Sequence, residues 1–101
     1  MYVEVAATGV RVVEADVLTA LAVRVRASAG DVSIGRFGAL DESGTHAWLD
    51  PTVLRHEASL SIPEADRQAW FGRFDGMIAY ATSKGWMSPD GSAVRAHIER
   101  Y

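Results

Sequence analysis

Apolar residues recur at helical spacing between Ser61 and Trp86, and this is the strongest pattern in the chain. It predicts one long amphipathic helix over about residues 62–85, because residues three and four apart share one face of a helix. The bulky members of the core-facing side are Trp70, Phe74, Met77, Ile78 and Ala81. We expect the rest of the fold to pack against this side.

Both ends of this helix carry end signals. Ser61 and Glu64 have the spacing of a capping box, in which each side chain satisfies a backbone N–H of the other. Pro63 is tolerated in the first turn because its missing N–H is not needed there. At the other end, Lys84 complements the helix dipole and Gly85 can adopt the left-handed conformation that ends a helix.

A second side of the same helix holds only small residues. They are Ala65, Ala69, Gly72, Gly76, Ala79 and Ser83. Glycine inside a helix costs about 0.5–1 kcal/mol relative to alanine, so two of them indicate that another backbone comes close. That backbone belongs either to the same chain or to a second copy. In the second case, Ala69, Gly72, Gly76 and Ala79 form the interface of a homodimer.

The first third of the chain is rich in β-branched residues. Residues 2–7 and 10–13 predict two short strands on either side of Thr8-Gly9, or one strand bent at the glycine. Asp16 then has the character of a helix N-cap, and apolar residues line one side of a second helix over about 16–29, which Gly30 closes. The alternation from Leu21 to Arg26 also fits a strand, so both interpretations stand.

Residues 32–41 and 45–49 predict a β-hairpin around Glu42-Ser43-Gly44, a three-residue loop with glycine at its left-handed last position. This loop pairs Asp41 with Thr45. The apolar residues of the hairpin then share its core face: Phe37, Ala39, Ala47 and Leu49. The opposite face pairs Leu40 with His46, Gly38 with Trp48, and Arg36 with Asp50.

Asp50-Pro51 begins a short helix that runs to about Ser59, with Asp50 as its N-cap. Residues 93–99 alternate apolar and polar side chains and favour a final strand, while a closing helix capped by Ser88 fits the same residues. Together these elements predict an α+β fold. A mostly antiparallel sheet packs on the long helix over 62–85 and on the second helix over 16–29.

At 101 residues the chain has the length of a single domain, residues 1–101. It holds no apolar run near the ~20 residues that cross a bilayer, and its acidic N-terminal segment is unlike a secretory signal. Cysteine is absent, which excludes disulfides and fits a reducing compartment. We therefore expect a cytoplasmic protein without membrane contact.

Net charge and composition limit the classes of binding partner that we expect. The net charge of −3 argues against nucleic acid, because binding of that kind depends on neutralising phosphates. The basic residues are almost all arginine, with Lys84 the single lysine, a composition typical of a GC-rich bacterial genome. We expect a homo-oligomer that takes a protein or small-molecule partner.

The sequence contains no nucleotide, phosphate or metal motif, so we expect neither a cofactor nor a metal. His46, His56 and His97 lie far apart along the chain and never at the spacing of metal ligands. His56 and Glu57 are adjacent on a predicted helix and therefore point about 100° apart. This geometry favours a solvated helix face, although His56 and Glu57 with nearby Asp50 also fit an acid-base group.

The open face of the predicted hairpin carries the residues best suited to binding: Arg36, Gly38, His46, Trp48 and Asp50. A glycine beside an aromatic ring leaves room for a flat ligand group, while arginine and histidine supply polar contacts. The same residues also fit simple packing, with Trp48 covering Gly38 and a surface ion pair between Arg36 and Asp50.

Two hypotheses of function follow. The first is a noncatalytic binding or accessory domain, a homodimer that acts through the hairpin face or the small-residue side of the helix. The second is a small cofactor-independent enzyme, an isomerase, lyase or hydrolase, in which His46 or His56 moves a proton beside Asp50 or Glu57. A histidine and a carboxylate in a closed apolar pocket would favour the enzyme, and an open face the binding domain.

Overall fold

A computed structural model describes residues 1–27 and 33–101. Within these residues, six strands form one sheet and two α-helices pack against it. The strands are β1 Tyr2–Ala6, β2 Gly9–Val13, β3 Ala22–Val25, β4 Gly38–Leu40, β5 His46–Leu49 and β6 Val94–Arg100. The helices are α1 Pro51–Ser59 and α2 Arg67–Ser83, and 3-10 turns lie at Gly35–Phe37 and Glu64–Asp66.

The strands lie in the order β2-β1-β3-β6-β5-β4 across the described sheet. β1 is antiparallel to β2 and parallel to β3, and β3 is parallel to β6. The β6-β5-β4 half is antiparallel. The α+β class is therefore confirmed, and the predicted mostly antiparallel sheet is matched in part: three pairings are antiparallel, but both pairings of β3 are parallel, so the sheet is mixed.

Residues 22–25 form the central strand β3, so the predicted second helix over 16–29 is wrong. Val13 at the end of β2 and Ala22 at the start of β3 both lie beside Tyr2. The intervening segment therefore only crosses one end of the sheet and needs no crossover helix. Of the predicted helix, residues 28 and 29 lie outside the described residues, as do Gly30 and Val32, the first residue of the predicted hairpin.

The core-facing side of α2 is the predicted one. Trp70, Phe74 and Ala81 are buried, and Met77 and Ile78 pack partly buried against the same core. Burial of two aromatic side chains contributes on the order of 2–3 kcal/mol each. The indole Nε1 of Trp70 also donates a hydrogen bond of 2.7 Å to the carbonyl of Ala15, which ties the helix to the segment after β2.

The N-terminal end of α2 differs from the prediction, and its C-terminal end matches it. The helix begins at Arg67 rather than 62, because Pro63 is extended and a 3-10 turn over Glu64–Asp66 intervenes. The capping box is absent, since the Ser61 hydroxyl donates to the carbonyl of Ala58. At the C-terminal end, Gly85 has a φ of +74° and closes the helix as predicted.

The small-residue side of α2 is exposed along its whole length: Ala65, Ala69, Gly72, Gly76, Ala79 and Ser83. A Cβ atom added at Gly72 or Gly76 would have no neighbour within 4 Å among the described residues. The interpretation in which this side packs within the chain is therefore wrong for the part of the chain described. The homodimer interface stays a prediction.

The hairpin between β4 and β5 is shifted by one residue from its predicted register. Ala39 lies opposite Trp48 and Leu40 opposite Ala47, because the Asp41 N–H donates to the His46 carbonyl. The loop therefore has four residues, Glu42 to Thr45, although Gly44 adopts the predicted left-handed conformation with a φ of +71°. A one-residue shift reverses the faces, so Ala39 leaves the core face.

Two further predictions are confirmed. Helix α1 begins at Pro51, and the Asp50 carboxylate accepts hydrogen bonds from the N–H groups of Thr52 and Val53. The C-terminal segment forms strand β6 with every second residue buried. Among the described residues, no helix has the length and apolar character that a membrane span requires.

Candidate functional site

The sheet has one face in the core and one face that the helices leave uncovered, here called the open face. Val94, Ala96 and Ile98 of β6 are buried, whereas Arg95 and His97 between them are exposed on the open face. Alternation along a strand sends successive side chains to opposite faces. By the same rule and the β5-β6 register, His46 and Trp48 of β5 share the open face with Arg95 and His97.

His46 and His97 lie directly opposite each other on β5 and β6. Their rings meet edge to face, with centroids 5.9 Å apart and planes 73° apart. The Nδ1 atom of His46 lies 3.0 Å from the hydroxyl of Thr45. Ala22 lies beside His97 on the neighbouring strand.

A cleft of about 770 Å³ lies beside this pair and is here called the β6 cleft. Its lining combines residues 18–21 with Gly76, Met77, Ile78, Tyr80 and Ala81 of α2 and with Trp86. The strand residues in the lining are His46, Val94, Arg95 and His97. The volume falls within the roughly 300–1,000 Å³ of typical small-molecule sites.

The cleft lies at the point where the chain next to β6 changes from strand β3 to the segment around Met87. His97 pairs with β3, whereas Val94 bridges Met87 and the Arg95 N–H donates to the Trp86 carbonyl at 2.8 Å. At this change the cleft reaches both faces of β6. Its lining takes Val94 from the core face and takes Arg95 and His97 from the open face.

The C-terminal end of α2 positions two aromatic residues, Tyr80 and Trp86, at the rim of the cleft. The N–H of Trp86 donates to the Ala81 carbonyl at 2.9 Å, while Gly85 supplies the left-handed turn that lets the chain reverse there. Trp86 then meets Tyr80 edge to face, with ring centroids 5.7 Å apart. Both rings are about half exposed, at 40% for Trp86 and 55% for Tyr80.

The charge in the cleft is of one sign. Among the described residues, the lining includes Arg95 and two imidazoles but no carboxylate. Arg95 also has no ion pair or side-chain hydrogen bond within residues 1–27 and 33–101. Arg24, in contrast, lies 3.5 Å from the Glu99 carboxylate and over the Tyr2 ring. The ammonium of Lys84 adds positive charge near the rim, 5.5 Å from the Tyr80 ring centroid.

A second polar cluster on the open face is internally satisfied. Glu4 is buried and accepts hydrogen bonds from Arg11, Arg26 and the Tyr101 hydroxyl. Burial raises the pKa of Glu4, but the hydrogen bonds from Tyr101 and Arg11 outweigh it and leave that pKa below its usual value. Burial and the bond to Glu4 raise the pKa of Tyr101. The Glu4 carboxylate is thereby paired on every side, and the cluster holds β1, β2 and Tyr101 together.

Only two of the five predicted binding residues come together, His46 and Trp48. Arg36 lies in a 3-10 turn and forms an ion pair with Glu57 of α1. The Asp50 carboxylate caps α1 and forms no ion pair with Arg36 in the described part of the chain.

Gly38 leaves no room for a ligand, because a Cβ atom there would lie 1.8 Å from the carbonyl oxygen of Trp48. Trp48 is half-buried and contributes to a shallower depression of about 490 Å³ beside the turn at residues 88–93. It is not part of the β6 cleft lining.

Several cleft residues were missed from the sequence: Arg95, His97, Tyr80 and Trp86. The signal for Arg95 and His97 was the alternation in β6, which already placed them on one side of a strand. The pairing of β6 with β5 was the missing information. His56 lies exposed on α1, away from the other two histidines, and the described residues hold no group of three or more His, Asp or Glu suited to a metal ion.

Comparison of the chain with known protein families, with curated proteins and with solved structures gave no match. The function therefore has to be argued from the geometry of the cleft.

Proposed function

We propose that this protein is a small noncatalytic binding domain whose ligand occupies the β6 cleft. One observation carries the proposal: an apolar cleft of ligand size is lined by two imidazoles and by the Arg95 guanidinium, which has no ion pair within the described residues. Binding sites of this kind are mostly apolar, with a few polar groups that orient the ligand. The aromatic rim of Tyr80 and Trp86 adds contact area at the mouth.

The alternative of an acid-base enzyme has less support. It requires a carboxylate beside a histidine, and the two named carboxylates have other partners. Asp50 accepts from the N–H groups at the start of α1, and Glu57 is paired with Arg36. No carboxylate lines the cleft in the described part of the chain, so His46 and His97 lack the partner that orients an imidazole for proton transfer.

Association of two copies through Ala69, Gly72 and Ala79 stays part of the proposal, whereas Gly76, the fourth residue of the predicted interface, lines the cleft. The exposure of these three residues, with open space above Gly72, supports the association. A cytoplasmic place of action is proposed as well, and the absence of cysteine supports it.

The cleft can be tested by filling it. Gly76 lines the cleft and Gly72 lies one turn earlier on the same side of α2, and both have open space for a side chain. The substitutions Gly76→Leu and Gly72→Leu therefore change helix propensity equally, and each adds the same side chain to α2. Only Gly76→Leu places that side chain in the cleft. Nile red, a neutral dye that fluoresces in apolar sites, is the probe.

We expect the wild type and Gly72→Leu to enhance Nile red fluorescence equally, and Gly76→Leu to enhance it at least tenfold less. Circular dichroism checks that both variants are folded. Equal enhancement by all three proteins would mean that the dye binds elsewhere, and no enhancement by the wild type would mean that the cleft does not bind apolar groups. Either result contradicts the proposed function.

A further inference from the structure

The β6 cleft is polar at one end and apolar at the other. Its polar end is formed by His46, Arg95 and His97 on the open face of the sheet. Its apolar end includes Met77 and Ile78, which are partly buried against the core. A ligand that fills both ends therefore has one polar group attached to an apolar body.

The polar end offers hydrogen-bond donors and positive charge. A guanidinium presents a planar fork of N–H groups that matches the two oxygens of a carboxylate. Elsewhere in this fold an arginine shows that geometry: Arg55 reaches both oxygens of Asp75, at 2.9 and 3.2 Å. Arg95 has no such partner within the described residues, so its fork is available to a ligand.

Two backbone acceptors near the cleft are already used. The carbonyl of Ala81 accepts from the Trp86 N–H at 2.9 Å, and the carbonyl of Tyr80 accepts from the Ser83 hydroxyl at 2.7 Å. With these two carbonyls satisfied, the described lining offers a cationic ligand no carboxylate to pair with. The donor excess favours an anion.

The charges of the lining itself favour a singly charged anion, since Lys84 lies near the rim and not in the lining. Arg95 is the one permanently charged residue in the described lining, and the whole chain has a net charge of −3. A dianion would keep an unpaired charge in an apolar cleft, which is costly. A monoanion is matched by the guanidinium, and the two imidazoles in the lining add polar groups beside it.

We infer that the β6 cleft binds a monocarboxylate with an apolar body, an aliphatic chain or an aromatic ring, and that Arg95 receives its carboxylate beside the His46–His97 pair. This inference rests on the proposed function and names its ligand class. The apolar body lies along α2 over Gly76, where no Cβ atom obstructs it. Gly76 is thereby explained as a residue that keeps the cleft open.

The test compares three ten-carbon amphiphiles that differ in the head group: decanoate, decan-1-ol and decyltrimethylammonium. Each is titrated below its micelle concentration, and binding is measured from chemical shifts of the backbone amides. The variants are Arg95→Gln and, as a matched control, Arg73→Gln, which removes an exposed arginine of α2 that does not line the cleft.

We expect decanoate to bind the wild type and Arg73→Gln equally. We expect Arg95→Gln to weaken decanoate about 10- to 100-fold, the usual range for losing a charge-assisted hydrogen bond, and to leave decan-1-ol unchanged. The largest shifts for decanoate should fall on Arg95, His97 and the α2 residues of the cleft.

Other outcomes separate this inference from the proposed function. If decan-1-ol or decyltrimethylammonium binds as tightly as decanoate, or if Arg95→Gln has no effect, the carboxylate assignment is wrong while the cleft remains a binding site. Decyl phosphate as a fourth ligand tests the charge, and tighter binding of it than of decanoate would overturn the assignment of a monocarboxylate. If no amphiphile and no Nile red binds, the proposed function itself fails.

Discussion

The carbonyl oxygen of Trp48 lies 1.8 Å from the point where a Cβ atom on residue 38 would stand. Gly38 also has a φ of +146°, a conformation that residues with a side chain rarely adopt. The close approach and the backbone conformation both require glycine at the start of β4. This contact, rather than space for a ligand, explains the glycine beside the tryptophan.

The substitution Gly38→Ala should therefore destabilise the fold by about 2 kcal/mol or more, through strain and the clash with the Trp48 carbonyl. Urea denaturation measures the loss. The matched control is Gly72→Ala, which should stabilise the protein by about 0.5–1 kcal/mol because Gly72 is helical with open space around it. Equal effects of the two substitutions would show that β4 is misplaced.

Replacing Trp70 by phenylalanine removes the buried hydrogen bond to Ala15. The carbonyl of Ala15, a buried residue, then has no indole partner, which should cost about 1–3 kcal/mol of unfolding free energy. Trp86→Phe is the control, since Trp86 is 40% exposed and its removal should change stability by about 0.5 kcal/mol. A Trp70→Phe variant as stable as the control would contradict the tie between α2 and the segment after β2.

The homodimer prediction is tested by molar mass. Light scattering coupled to size exclusion should give the wild type twice the chain mass of 10.9 kDa. Gly72→Leu should give a folded monomer, because a bulky side chain blocks close approach of two helices and the structure has room for it within one chain. A wild type that elutes as a 10.9 kDa monomer would remove the homodimer from the proposal.

Asp90 should titrate at unusually low pH. The hydroxyl of Ser88, together with the N–H and hydroxyl of Ser92, donates to its carboxylate and lowers its pKa from 3.8 to about 2. Because the folded pKa is the lower one, these bonds stabilise the turn above pH 3.8 and lose their effect as the pH falls toward 2.

Carbon-detected NMR titration of the Asp90 carboxyl measures this pKa directly. Ser88→Ala should raise it toward the ordinary value, since the Ser88 hydroxyl is the largest cause of the shift. Ser43→Ala is the control, because Ser43 donates to Asp41 in a different loop. An Asp90 pKa that is the same in both variants would mean that the turn does not hold the carboxylate as described.

Local signals in the sequence were sufficient for several elements. Asp50-Pro51 identified the start of α1, Gly85 the end of α2, and the alternation of residues 93–99 the strand β6. The spacing of apolar residues likewise predicted the buried side of α2. Each of these features depends on residues within a few positions of one another, so a short stretch of chain contains all the information.

Tertiary structure decided what depends on distant partners. Residues 22–25 form a strand because β1 and β6 supply hydrogen bonds on both sides, although the local pattern also fitted a helix. The hairpin register turned on whether the loop had three or four residues, and one residue was enough to exchange the two faces. The start of α2 was moved by the buried Ile62 and the extended Pro63 before it.

The cleft shows most clearly which features local sequence signals determine and which depend on tertiary contacts. The sequence by itself placed His46 and Trp48 on one face of a strand and Arg95 and His97 on one side of another, because side-chain direction alternates locally. Only the pairing of β5 with β6 brought these two sets together, and only the fold placed α2 and residues 18–21 around them. A site assembled from four separate segments depends on long-range contacts, which no local pattern of residues encodes.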